Sequence, residues 1–343
     1  MANTQTVVQL TAPYLVLIGD VADALYAKTG FGIVQWRRDC VAGQLRFPGC
    51  AVDLGVPDMM VREAKDAGVK SLVIGVAPVG GTIPERWWQA IEEAAEAGLD
   101  IVCGLHVRLS DFPGLVTRAK KSGARLVDVR VPPAKLPVGT GRRRSGRRVL
   151  MVGTDCAVGK KYSALALTEA LQHAGMKATF RATGQTGIMI AGSGIPIDAV
   201  VSDFVSGAAE VLSPDNEADH WDVIEGQGSL FHPGYAAVSL GLLHGSQPDA
   251  IVVCHEATRK VIGEWEGFSL PSIGDCMQQN LALARLTNPD VVCVGVSVNT
   301  SLLPAENRQQ YLEELSASTR LPCVDPLADG MSRIAENLRQ LTD

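Results

Sequence analysis

The chain has 343 residues, 46% hydrophobic and 20% charged, with a formal net charge of −6. That length accommodates two domains with cores of their own, and the balance excludes a disordered chain. The acidic charge excludes a general nucleic-acid or membrane-surface binder.

Short runs rich in Val, Ile and Leu at 15–19, 71–76, 100–104 and 126–131 read as strands. Between them, 58–68 and 84–98 carry helical spacing and stop on Ala67-Gly68 and Ala97-Gly98. Strand–helix alternation predicts a parallel sheet covered on both faces. Residues 1–131 therefore read as a Rossmann-like N-terminal domain, although the turn Val79-Gly80-Gly81-Thr82 lacks the GxGxxG fingerprint of a dinucleotide site. Residues 132–147, Pro-rich and then Arg-rich from Arg142 to Arg144, read as a solvated linker. Strands are expected next at 148–152, 177–182, 199–202, 221–225, 249–254, 290–298 and 321–324, with helices at 162–174 and 274–286. The expected class is α/β, with a P-loop NTPase-like domain over 148–343 built on a mostly parallel sheet.

The segment 150–163 carries the strongest chemical signal. An apolar strand runs into Gly153-Thr154-Asp155-Cys156-Ala157-Val158-Gly159, and Lys160, Lys161, Tyr162 and Ser163 open a helix. Glycines let successive N–H groups turn toward an anion, a lysine adds a flexible ammonium, and the helix points its positive end at the same place. All eleven residues, 153–163, are expected to bind a phosphorylated cofactor. Two features depart from the usual phosphate loop: five residues separate the glycines instead of four, and Lys161 stands where a Ser or Thr normally holds Mg²⁺. Two ammoniums neutralise a pyrophosphate without a metal, as coenzyme A requires; Ser163, two positions further on, keeps ATP with Mg²⁺ as the alternative.

Ligand groups of a parallel sheet gather at the carboxyl ends of its strands. There the sequence offers Arg181, Thr183-Gly184-Gln185, Gly192-Ser193-Gly194, Asp203, Glu225-Gly226-Gln227, His232, and His255-Glu256. A general base with a pKa near neutrality suits Glu225 or His232, with Asp203 in reserve. Substrate contacts are expected from Arg181, Gln185, Ser193 and Gln227, and no metal site is read. Cys156 is a conceivable acyl carrier, but no histidine is its sequence neighbour, which favours direct transfer. The eight cysteines form no CxxC pair, which suits a reducing cytosol. Positions 1–12 lack the pattern of a signal peptide and no apolar run reaches spanning length, so a soluble, cytoplasmic protein is expected.

The loop and the E-G-x-G segment at 225–228 resemble the dethiobiotin synthetase group of P-loop proteins. Over 12–340 the combination of GTDCAVGK, RATGQTG, DFVxGAxE and EGQGSLxHP is more similar to a bacterial and archaeal family long catalogued as a domain of unknown function. That family includes the D-glutamate N-acetyltransferases of D-amino-acid catabolism. The resemblance implies acetyl transfer from acetyl-CoA to the α-amino group of D-glutamate or a related D-amino acid, with a racemase or epimerase acting on the N-acetyl product. A homo-oligomer that binds small molecules, with neither nucleic acid nor membrane as partner, is expected. The rival reading is an ATP-dependent ligase or kinase of the dethiobiotin synthetase type.

Overall fold

A computed structural model describes residues 7–76, 83–263, 265 and 267–341; the 79–82 turn lies outside them. The chain forms two compact units, Met1–Pro133 with Gly184–Ala199, and Ala134–Thr183 with Val200–Asp343. Residues 184–199, which the sequence reading counts with the second domain, thus pack with the first.

The first unit contains β1 (Val8–Gln9), β2 (Tyr14–Gly19), α1 (Lys28–Trp36), β3 (Val41–Arg46), α2 (Val61–Asp66), β4 (Ser71–Ile74), α3 (Trp88–Glu96), β5 (Asp100–Cys103), α4 (Pro113–Ser122) and β6 (Leu126–Asp128). Five of its strands pair in the order β3-β2-β4-β5-β6, all parallel. This is a doubly wound order in which the chain changes direction beside β2. Residues 15–18 and 72–74 are buried throughout, as a sheet covered on both faces demands. Nothing in the sequence reading predicts α1, whose interior holds two glycines. At Gly30 the glycine has a steric reason: a Cβ there would lie 2.9 Å from Ile18 Cδ1 and 3.2 Å from the Gly75 carbonyl.

The second unit begins with β7 (Arg147–Gly153), α5 (Lys160–His173) and β8 (Ala178–Arg181). The chain then supplies α6 (Gln185–Ala191) and β9 (Ser193–Gly194) to the first unit, where β9 pairs antiparallel with β1. It returns with α7 (Val205–Leu212), β10 (Trp221–Ile224), α8 (Ala236–Ser246), β11 (Ala250–Glu256), α9 (Ile273–Ala284), β12 (Val292–Asn299), α10 (Ala305–Thr319), β13 (Cys323–Val324) and α11 (Ser332–Gln340). Six parallel strands run β13-β12-β11-β7-β10-β8. After β7 the chain builds β8 and β10 on one side, then crosses to β11 on the other, which makes β7 the switch strand.

The strand expected at 199–202 is absent; two 3-10 turns, Ile197–Ala199 and Ser202–Phe204, lead into α7 instead. Ser202 and Asp203 are residue types that favour turns and helix starts over a ladder, and Asp198 pairs with Arg130 at 3.1 Å. The arginine run is likewise not a solvated linker throughout. Arg144 is 5% exposed and donates to the carbonyls of Ser213, Gly245 and Ser246. These acceptors end α7 and α8, so one guanidinium satisfies carbonyls that helix termini leave unpaired. Arg148 is also buried and faces Asp249 at 3.5 Å.

Candidate active site

The loop after β7 has the backbone that its glycines suggest. Gly153 ends the strand, and Gly159 precedes α5 with φ of +104°, a conformation that a side chain resists. Lys160 folds back over the loop, where its Nζ donates to the Asp155 carbonyl at 2.7 Å. Burial lowers the pKa of this ammonium from its ordinary value. Next to it, Gly226 leaves no room for any other residue: a Cβ would meet the Met151 carbonyl oxygen at 1.7 Å and Lys160 Cδ at 2.9 Å. The glycine after Glu225 thus lets β10 close against the phosphate loop.

The hydroxyl that the ATP alternative assigns to a metal turns elsewhere. Ser163 Oγ donates to the Gly159 carbonyl at 3.0 Å and shares a 2.7 Å bond with Ser297 Oγ of β12. Its side chain belongs to the packing between α5 and the sheet. Lys161 lies half-buried with its ammonium 4.4 Å from the centre of the Tyr162 ring.

Glu225 is 4% exposed and accepts the Thr183 N–H at 2.9 Å, while the Thr183 hydroxyl donates to the Glu225 carbonyl. Gln227 Nε2 donates to the same hydroxyl oxygen, at 3.0 Å. Ser229 Oγ donates to the Gly153 carbonyl at 2.9 Å, which ties the 225–232 loop to the phosphate loop. His232 follows, buried between Tyr235 and Trp265 with ring centroids 4.6 Å from each. Its Nδ1 accepts the Gly234 N–H at 3.1 Å, so the neutral ring carries its proton on Nε2. That occupied lone pair works against the expected role of His232 as a base.

His232 and Cys156 are nevertheless neighbours, which the sequence does not reveal. A ring nitrogen of His232, Cys156 Sγ and an Asp155 carboxylate oxygen all lie within 4.8 Å of one another. These are metal-ligand types, but the carboxylate is already used. Asp155 Oδ1 accepts from the Cys156 N–H, and Oδ2 accepts from Arg259 Nη1 at 2.9 Å and from the Gly263 N–H at 2.8 Å. With Arg259 and Lys160 close by, the local field favours an anion over a cation. Burial raises the Cys156 thiol pKa, with Lys160 pulling the other way.

Across the loop, Thr154 Oγ1 shares a 3.1 Å hydrogen bond with His255 Nδ1, and Arg259 Nη1 also donates to the Cys156 carbonyl at 2.6 Å. Sequence reasoning misses Arg259; the clue was a cation three residues after Glu256 at a strand's carboxyl end.

Within this unit, Arg181 and Asp203 are not assembled here. Arg181 pairs with Asp222, its Nε donating at 2.8 Å, and so is already neutralised where a substrate carboxylate needs a cation. Asp203 is exposed in a 3-10 turn, not at a strand's end, because the strand that would place it there does not form. Gln185 and Ser193 lie in the first unit, Gln185 opening α6 and Ser193 opposite Gln9 in the β1–β9 ribbon.

A parallel α/β unit with a lysine-bearing glycine loop at its switch strand defines a P-loop protein, here joined to a Rossmann-like unit. The chain belongs to the family described as "Domain of unknown function (DUF1611_C) P-loop domain", matched over residues 137–335; its companion "(DUF1611_N) Rossmann-like domain" matches 46–132. Two curated relatives are named D-glutamate N-acetyltransferase. That of Tritonibacter scottomollicae is 47% identical over 96% of this chain and 99% of its own. That of a Pseudoalteromonas species is 48% identical over the same shares. A crystal structure of a DUF1611 family protein from Anabaena variabilis ATCC 29413 is 32% identical and superposes with a TM-score of 0.83, covering 96% of this chain and all of that one. Among the described residues no helix is long and apolar enough to cross a membrane.

Proposed function

We propose that the protein transfers an acetyl group from acetyl-CoA to the α-amino nitrogen of D-glutamate. The acceptor and the reaction follow the names of relatives that match nearly its whole length. The donor is our reading of the phosphate loop. The carrying observation is the pairing of Lys160 and Lys161 at that loop with a Ser163 hydroxyl locked into the α5–β12 packing. Two lysines and a helix N-terminus suit a pyrophosphate that is held and not cleaved. In this reading residues 153–161 hold the coenzyme, and Glu225 organises the loop by anchoring Thr183. His232 keeps its Nε2–H for the thioester oxygen, which becomes negative when the carbonyl is attacked. N-Acetylation removes the amino group's charge and prepares the product for a racemase or epimerase. We place the protein in the cytosol, where its free thiols stay reduced.

Incubation with acetyl-CoA and a panel of D- and L-amino acids, following free thiol, tests this. Thiol release with D-glutamate and without ATP is expected. Release of ADP from ATP, with no thiol formed, would replace the reading by the dethiobiotin-synthetase-like ligase or kinase.

A further inference from the structure

Beside the phosphate loop lies a cavity of about 710 Å³, a size suited to a small ligand. His255, Arg259 and Lys260 line it, together with Leu270, Met277 and Leu315. No carboxylate is among its described lining residues. Two of the three nitrogen-bearing side chains are bonded directly to the loop. His255 meets Thr154, and Arg259 Nη1 meets both Asp155 and the Cys156 carbonyl. Arg259 already pairs with Asp155 and, through Nε at 3.6 Å, with Glu256, whereas the exposed Lys260 ammonium has no carboxylate partner among the described residues. Arg181, the cation expected to bind a dicarboxylate, is committed to Asp222, so its task falls to other residues.

We infer that this cavity is the acceptor amino-acid site, with Lys260 holding the side-chain carboxylate of the substrate and His255 receiving the proton of its ammonium. The inference rests on the proposed acetyl transfer and adds where the acceptor sits. His255 is the imidazole placed for the task, because it joins the cavity to the loop that holds the donor. Burial keeps it neutral, with Arg259 acting in the same direction and Glu256 against it. When Nδ1–H donates to Thr154 Oγ1, the lone pair of Nε2 remains for a proton. The α-ammonium gives one proton to His255, and the freed nitrogen pair attacks the thioester carbonyl carbon. The C–N bond forms and the C–S bond breaks; the nitrogen's second proton leaves with the coenzyme thiolate, and His255 returns its own to solvent. Lys260 acts on selectivity, because an acceptor without a side-chain carboxylate leaves it nothing to bind.

Steady-state kinetics of Lys260→Met with D-glutamate and with D-norvaline test the site. The ratio of kcat/KM for the two acceptors should fall about 10-fold or more, the loss of one charge-assisted contact, with KM for acetyl-CoA unchanged. An unchanged ratio overturns the site. For His255→Gln, kcat should fall about 10²-fold or more, with partial recovery on adding free imidazole. Because His255 is buried, thermal unfolding with and without D-glutamate accompanies the kinetics. A folded variant still protected by D-glutamate but as active as the parent overturns the base. If the unmodified enzyme releases no thiol from acetyl-CoA with any acceptor, the proposed reaction fails instead, and the two failures are distinct.

Discussion

β2 and β7 hold equivalent places, each the first core strand of a parallel sheet and the one beside which strand order reverses. Their ends differ. β2 runs into Gly19 and Asp20, where the indole of Trp87 fills the space: a Cβ on Gly19 would lie 2.3 Å from the ring. Trp87 is 1% exposed, its Nε1 donates to Asp20 at 2.8 Å, and Arg86 pairs with the same carboxylate. β7 runs into the glycine loop, where Lys160 folds back onto the Asp155 carbonyl and Gly226 is drawn in close. The order of strands decides where a crevice can form; the residues after the strand decide whether it holds a ligand or a tryptophan.

Substitutions at the two ends should separate structure from function. Trp87→Ala should cost about 3–5 kcal/mol in urea unfolding, the scale for removing a buried tryptophan, with acetyl-CoA affinity unchanged. Weakened coenzyme binding in a folded Trp87→Ala protein would show that β2's end also takes part in the site. Lys160→Ala should remove the loop's buried cation and lower turnover by about 10²- to 10³-fold, with calorimetric acetyl-CoA binding lost. Unchanged affinity would sink the phosphate-loop assignment. Cys156→Ala has the smallest expected effect. Direct transfer predicts less than about a threefold change in kcat, and no acetylated thiol by mass spectrometry of a quenched reaction. A collapse of turnover, with acetyl on Cys156 in the parent enzyme, would instead make the Cys156–His232 neighbourhood a covalent relay.

Much of the fold was legible because buried parallel strands are apolar runs. β2, β4, β5, β7, β10, β11 and β12 all read that way. α1 was hidden by its two glycines, of which Gly30 serves packing against Ile18 and Gly75, not helix propensity. The strand at 199–202 was an error of the same local kind, since two valines beside turn residues do not make a ladder. In the site, the phosphate loop was legible because its spacing and its chemistry coincide. Arg181 was misleading because Asp222, two residues before its register partner Ile224 on β10, takes its charge.

The sequence by itself determined the class of the fold, the phosphate loop and the relatives, because these depend on periodicity and on short contiguous motifs. Tertiary structure alone decided that His232 stands by Cys156, that Arg259 locks Asp155, and that His255 links Thr154 to a cavity. Each of these contacts joins residues tens of positions apart. A parallel sheet gathers the ligand-facing members of such sets at its carboxyl edge, where successive strand ends meet after long crossovers.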